Sequence, residues 1–179
     1  MLKVIIRYGL IAGAIAAIPW IWLLARLPAD AGLESMYGYA RSYLIMLVAL
    51  SMVFVGIKQY RDQALGGVIK FGPALLVGLG ISTIAGVFYA VAWEICTAFM
   101  RFDFVAFYAK EIVEQARTAG ANEQAMAAAA ANAANFTEMY TNPLFRIPMT
   151  FLEIFPVGIL VSLISAALLK NSRFLPARA

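Results

Sequence analysis

The sequence predicts an all-α integral membrane protein, a four-helix bundle with an extramembrane helical hairpin inserted between spans three and four. Two observations predict it. Four apolar stretches, 5–25, 42–57, 74–98 and 147–169, run through the chain. Three of them reach the roughly 20 residues that a hydrocarbon core of about 30 Å requires. Composition agrees, with 63% hydrophobic and 13% charged residues and a mean hydropathy of +0.82; soluble domains hold about 45–50% and about 25%. Residues 1–179 therefore read as a single membrane domain.

The first stretch follows Lys3 and Arg7 and ends near Ala29-Asp30-Ala31, which imitates a cleavable signal peptide. It is longer than the usual signal core of about 7–15 residues, so it reads as a retained anchor. The second is short but extends outward through Tyr37, Tyr39, Arg41 and Tyr43, which suit the interfacial zone. The segment Gly56-Ile57-Lys58-Gln59-Tyr60-Arg61-Asp62 ends that span, and Gly66-Gly67 breaks the chain. Phe71-Gly72-Pro73 then opens the third span, because a proline in the first turn lacks only a donor that has no partner there. The loop is short and basic, which predicts spans two and three as antiparallel neighbours.

Lys and Arg predict orientation. With both termini on one side, that side holds Lys3, Arg7, Lys58, Arg61, Lys70, Lys170, Arg173 and Arg178; the other holds Arg26, Arg41, Arg101, Lys110, Arg117 and Arg146. Of the acids, only Asp62 falls on the first side. The first side is assigned to the cytoplasm and the second to the periplasm of a bacterial inner membrane. The net charge of +4 is then a topology signal. Its basic residues form no patch with interleaved aromatics, so nucleic acid is not an expected partner. Membrane lipid, other membrane proteins or further copies of the chain are the partners expected.

Residues 101–146 make up the periplasmic hairpin. Val105, Tyr108, Ile112 and Ala116 recur at spacings of three and four over 103–119, the mark of a helix with one apolar face. Gly120 suits a helix stop and Asn122 the cap of a second helix, 123–140, which Asn142-Pro143 ends. The tract 127–134 is nearly all alanine. Alanine needs no reason beyond being the best helix former; the sharper reading is that small side chains let another helix approach closely.

Small residues recur every fourth position in the spans: Gly9 with Gly13, then Gly78, Ser82, Gly86 and Ala90, and then Gly158, Ser162 and Ala166. In lipid no hydrophobic force pulls helices together, so close backbone approach at such positions supplies the contact. The third span is the expected central helix.

Arg41, Glu94 and Glu153 lie inside or just under the outer boundary. Arg41 and Glu153 each stand about 25 Å along a helix from the inner-edge Lys58 and Lys170, and therefore share a depth. A charge is costly in lipid, so an Arg41 contact to Glu94 or Glu153 is expected, with Arg146 capping from above. Two readings stay open: a polar site for a proton, a cation or a lipid head group, or an ion-pair network that fixes helix register. Pro156 either kinks the fourth span beside Glu153 or marks a helix that starts late. Trp20, Trp22 and Trp93 read as interfacial anchors.

The sequence contains no histidine, and Cys96 is its one cysteine. Imidazole chemistry, an internal disulfide and Cys-pair metal sites are excluded. No phosphate-binding loop or nucleophile turn is present. Neither an enzyme nor a cofactor is expected. The preferred function is an accessory or scaffold subunit that binds other membrane proteins; the alternative is transport or binding of a small ion, solute or lipid at the Arg41, Glu94, Glu153 and Arg146 cluster.

The chain also resembles the bacterial membrane family catalogued as domain of unknown function 4199. The resemblance runs nearly end to end through Gly56-Ile57-Lys58-x-Tyr60-Arg61-Asp62, Gly67-x-Ile69-x-Phe71-Gly72, Trp93-Glu94, Asn142-Pro143-Leu144-Phe145-Arg146, Phe151-x-Glu153 and Pro156-Val157-Gly158. It implies a four-span inner-membrane protein with no activity to transfer. The recurring charged positions map onto Lys58, Arg61, Asp62, Glu94, Arg146 and Glu153.

Overall fold

The computed structural model describes the backbone of residues 1–24, 35–99 and 103–177 and the side chains of 1–22, 43–99 and 103–177. Arg26, Ala29-Asp30-Ala31, Arg101 and Arg178, and the side chains of Tyr37, Tyr39 and Arg41, lie outside the described residues. The described fold is helical: α1 (Leu2–Leu24), α2 (Ser35–Ala64), α3 (Phe71–Phe99), α4 (Phe104–Thr118), α5 (Glu123–Thr141) and α6 (Pro143–Leu169). Four segments are long and apolar enough to cross a membrane: Leu2–Trp22, Tyr43–Ala64, Phe71–Phe99 and Pro143–Leu169.

The helices outrun the apolar stretches, for local reasons. Helix α2 continues past Ile57 because Lys58 pairs with Asp62 one turn later, which supports the polar stretch as helix. It stops before Gly66 and Gly67, whose φ values of +65° and +90° suit glycine alone. Helix α6 starts at Pro143, not at Ile147. The Asn142 side chain accepts a hydrogen bond from the Leu144 amide at 3.0 Å, and proline fits the first helical position. The helix runs unbroken through Pro148 and Pro156, so Pro156 is an interior residue and the late-start reading falls. Asp103 caps α4 through the Ala106 amide at 2.9 Å, and Asn122 caps α5 through Ala125 at 2.9 Å. Between α4 and α5, Gly120 turns the chain at φ +72°, and the two helices pack on each other.

Helix α3 is central, packing on α6, α1 and α2. A Cβ at Gly13 would lie 2.7 Å from the Phe88 Cβ, and one at Gly80 2.9 Å from Ile5, so α1 runs parallel to α3 at close approach. Gly9 faces Ile84 in the same register. Against α6 the order reverses: Gly78 meets Ser162, Ser82 meets Gly158, and Gly86 meets Phe151 and Ile154. The Ser82 and Ser162 hydroxyls lie 3.2 Å apart at the heart of this contact. Each also donates to its own helix, Ser82 to the Gly78 carbonyl and Ser162 to that of Gly158. Ala90 is buried on the same face of α3. The core of Leu50, Val53, Ile57, Val77, Ile81, Ile154 and Leu169 fills the space between these helices.

Candidate functional site

Two charged assemblies mark opposite ends of the α3–α6 pair. At one end Glu94, near the close of α3, meets Arg146, one turn into α6. The Arg146 Nε and a terminal nitrogen donate to the two Glu94 carboxylate oxygens at 2.6 and 2.5 Å. Such a two-pronged, charge-assisted contact is both strong and directional. The remaining terminal nitrogen donates to the Tyr140 carbonyl at 3.1 Å, and the guanidinium lies 5.8 Å from the Tyr140 ring centre. Arg146 thus joins the last turn of α5 to α3. Asn142 makes this possible by stopping α5 and starting α6 at once.

An aromatic stack extends the clamp across all four neighbouring helices. Trp93 is buried and its indole N–H donates to the Tyr140 hydroxyl at 2.9 Å. Its ring meets Phe104 edge-on at 5.2 Å, and the series continues through Tyr108, Phe136 and Tyr140 at 4.7–5.9 Å. Trp93 is therefore a structural keystone of α3, α4 and α5 and not the interfacial anchor that its position in the sequence implied. Trp20 packs beside it, while Trp22 is exposed. Burial pushes the Tyr140 phenol above its ordinary value, and the Glu153 carboxylate adds to the push. A small notch lined by Trp20, Tyr89, Trp93 and Cys96 separates α1 from α3.

At the other end Arg61 is fully buried. Its Nε donates to Asp62 at 2.7 Å. The terminal nitrogens reach the carbonyls of Leu169 at 3.5 Å, Phe174 at 2.9 Å and Leu175. Asp62 also receives Lys58. Arg61 therefore terminates α6 and fastens the segment after it, with Phe174 set edge-on to Phe54 at 6.4 Å. Lys170 stands over the Phe71 ring at 6.0 Å, where α3 begins.

The predicted cluster comes together only in part. Glu94 and Arg146 meet, with Arg146 as the main partner and not a cap. Glu153 does not join them: it sits on the exposed face of α6, two turns farther along, with no ion pair among the described residues. The Gly86 contact to Phe151 and Ile154 sets Glu153 beside the middle of α3, away from Glu94. Arg41 belongs to α2, and its side chain lies outside the described residues.

The pattern of one protein family matches residues 7–171, most of the chain. The chain belongs to that family, described as protein of unknown function (DUF4199). No curated protein and no solved structure matches it. Within the DUF4199 match, the segments around Lys58-Arg61-Asp62 and Glu94-Arg146 coincide with the two clamps. Phe104, Phe136 and Tyr140 were missed as site residues. The signal was there: Phe104 with Tyr108, and Phe136 with Tyr140, are aromatic pairs at spacing four on adjoining helices.

Proposed function

We propose that this protein is a non-enzymatic accessory or scaffold subunit of a bacterial inner membrane. In this reading the bundle crosses the bilayer four times, both termini are cytoplasmic, and α4 and α5 form a periplasmic hairpin presented to other membrane proteins. The observation that carries it is the clamp of Trp93, Glu94, Tyr140 and Arg146, which joins α4 and α5 to the ends of α3 and α6. A pair held this way is a platform: Trp93, Glu94, Tyr140 and Arg146 hold it, and the alanines of α5 are largely exposed. The distribution of Lys and Arg supports the orientation.

Purification in mild detergent tests the role. A stoichiometric membrane-protein partner, lost when α4 and α5 are replaced by a short linker, is the expected result; a lone chain refutes it. Reporter fusions at the two termini and at Gly120 test the topology, and termini on opposite faces overturn it. Glu153 favours a second reading, because a carboxylate on an outward apolar face suits a cation, a small solute or a lipid head group. Copurification of such a ligand, lost in Glu153→Gln, is its test.

A further inference from the structure

Among the described residues, the ionisable side chains of the four candidate spans, tyrosines and Cys96 aside, are Lys3, Arg7, Lys58, Arg61, Asp62, Glu94, Arg146 and Glu153. Lys58, Arg61 and Asp62 bind one another, and Glu94 binds Arg146. Lys3 lies at the very start of α1, within reach of water. The two that remain are Arg7 and Glu153, opposite in sign and both exposed. Arg7 has its own neighbour Tyr8 under the guanidinium at 5.9 Å and no carboxylate partner among the described residues.

Their heights can be read on α3. Ile5 packs on Gly80 and Gly9 on Ile84, which sets Arg7 level with about residue 82; Phe151 and Ile154 pack on Gly86, which sets Glu153 level with about residue 87. The offset is about 7 Å along the axis, a span that the long arginine side chain covers. Helices α1 and α6 flank α3 and share no extended contact, and among the described residues no ion pair joins Arg7 to Glu153 within one chain. Each is ringed by exposed apolar side chains: Ile6, Leu10 and Ile11 around Arg7, and Met149 and Leu152 beside Glu153.

We infer that α6 of one copy docks on α1 of a second copy, with Glu153 paired to Arg7 of that neighbour. Copies in one membrane share an orientation, so groups matched in height within a chain stay matched between chains. The contact is head-to-tail, and it closes into a ring where the rotation per step allows. Pairing removes two lipid-facing charges at once, each costly alone. The inference deepens the scaffold reading by naming a self-partner. It rests on the four-span placement and not on the presence of a heterologous subunit.

The test is charge reversal in lipid nanodiscs and mild detergent, followed by light scattering. The wild type is expected to self-associate; Arg7→Glu and Glu153→Arg each weaken this by about tenfold or more, the low end for close interfacial charge pairs. The double variant is expected to restore it. A monomeric wild type, folded single variants that associate as the wild type does, or a double variant that fails to recover overturns the inference. Loss of association on Arg41→Gln with none on Arg7→Glu also overturns it, in favour of Arg41 as the cation of the contact. Should a reversal variant fail to fold, differently tagged Arg7→Cys and Glu153→Cys chains, both carrying Cys96→Ser, are coexpressed and treated with a bifunctional thiol reagent long enough to span the axial offset between the two positions, which a direct disulfide is too short to bridge. A cross-link joining the two tags is expected, and its absence overturns the proposal. Failure here leaves a stoichiometric heterologous partner intact, so the two readings fall separately.

Discussion

Replacing Arg146 by alanine removes the two bonds to Glu94 at 2.6 and 2.5 Å, the bond to the Tyr140 carbonyl at 3.1 Å and the guanidinium over the Tyr140 ring. Deleting one partner of a fully buried ion pair costs about 3–5 kcal/mol, because the other is left uncompensated. Arg146 and Glu94 keep 17% and 22% of their side-chain surface exposed. Water therefore recovers part of the loss, and the expected cost is about 2–3 kcal/mol. At 1.4 kcal/mol per factor of ten, opening of α4 and α5 from the bundle becomes about 30- to 150-fold more populated. Amide hydrogen exchange in detergent micelles reads this directly. Protection is lost over residues 104–140 while the α1 and α2 core stays protected, and Trp93 fluorescence shifts as its bond to Tyr140 opens. Combining Glu94→Gln with Arg146→Ala removes the stranded carboxylate, so the double variant costs less than the sum of the singles by about 1–3 kcal/mol. Unchanged exchange over 104–140 in Arg146→Ala, or strict additivity in the cycle, refutes the clamp.

Gly158→Leu drives a side chain into Ser82, 2.7 Å from the added Cβ; it costs about 1–3 kcal/mol by overpacking and lowers the unfolding midpoint, while Leu160→Ala on the exposed face does not. Arg61→Met removes the donor to the carbonyls of Leu169, Phe174 and Leu175 and costs about 1–3 kcal/mol for the buried Leu169 acceptor. Carboxypeptidase then trims the tail faster, and a tail as resistant as the wild type contradicts the assignment. Tyr140 gives a pH signature: between its ordinary value of 10.0 and its raised native value the unfolded chain ionises and the native chain does not. Protons are thus released on unfolding, and stability falls as pH rises through that window. Tyr140→Phe flattens the fall, and a wild-type profile that stays flat above pH 10 counts against the buried phenol.

The four long apolar helices, the caps of α4 and α5 and the small-residue stripes were legible because each rests on local chemistry. Length and hydropathy decide the spans, Asp103 and Asn122 cap by their own side chains, and glycines at spacing four are visible in the sequence itself. The partner of Glu94 was harder. Counting along one helix gives depth but not azimuth, so the sequence points to Arg41 as the partner of Glu94 or Glu153 and to Arg146 as a cap, whereas α6 starts at Pro143 and already carries Arg146. That start brings Arg146 into the first turns of the helix, beside Glu94, and leaves Glu153 two turns farther along. The tail contact of Arg61 was invisible for another reason: its acceptors are backbone carbonyls more than a hundred residues away, which any sequence supplies.

The clamps also answer a problem that the stripes create. Gly78, Ser82 and Gly86 on α3, and Gly158, Ser162 and Ala166 on α6, repeat every four residues, so sliding one helix by a turn still sets small residues against small residues. Van der Waals contact alone separates those registers weakly. A four-residue slide displaces Arg146 from Glu94, and Lys170 from Phe71, by about 6 Å, which breaks both contacts and leaves the charges unmatched. The ends therefore select a register that the middle merely permits, the best-attested use of a costly buried ion pair. The consequence is measurable with Cys96 replaced and single cysteines at 82 and 158. These are expected to cross-link efficiently in the native clamp background. In the Glu94→Gln, Arg146→Gln background the yield falls, and a cross-link from 82 to a neighbouring turn of α6, at 154 or 162, rises. An unchanged cross-linking pattern after both clamp residues are neutralised refutes register selection by charge.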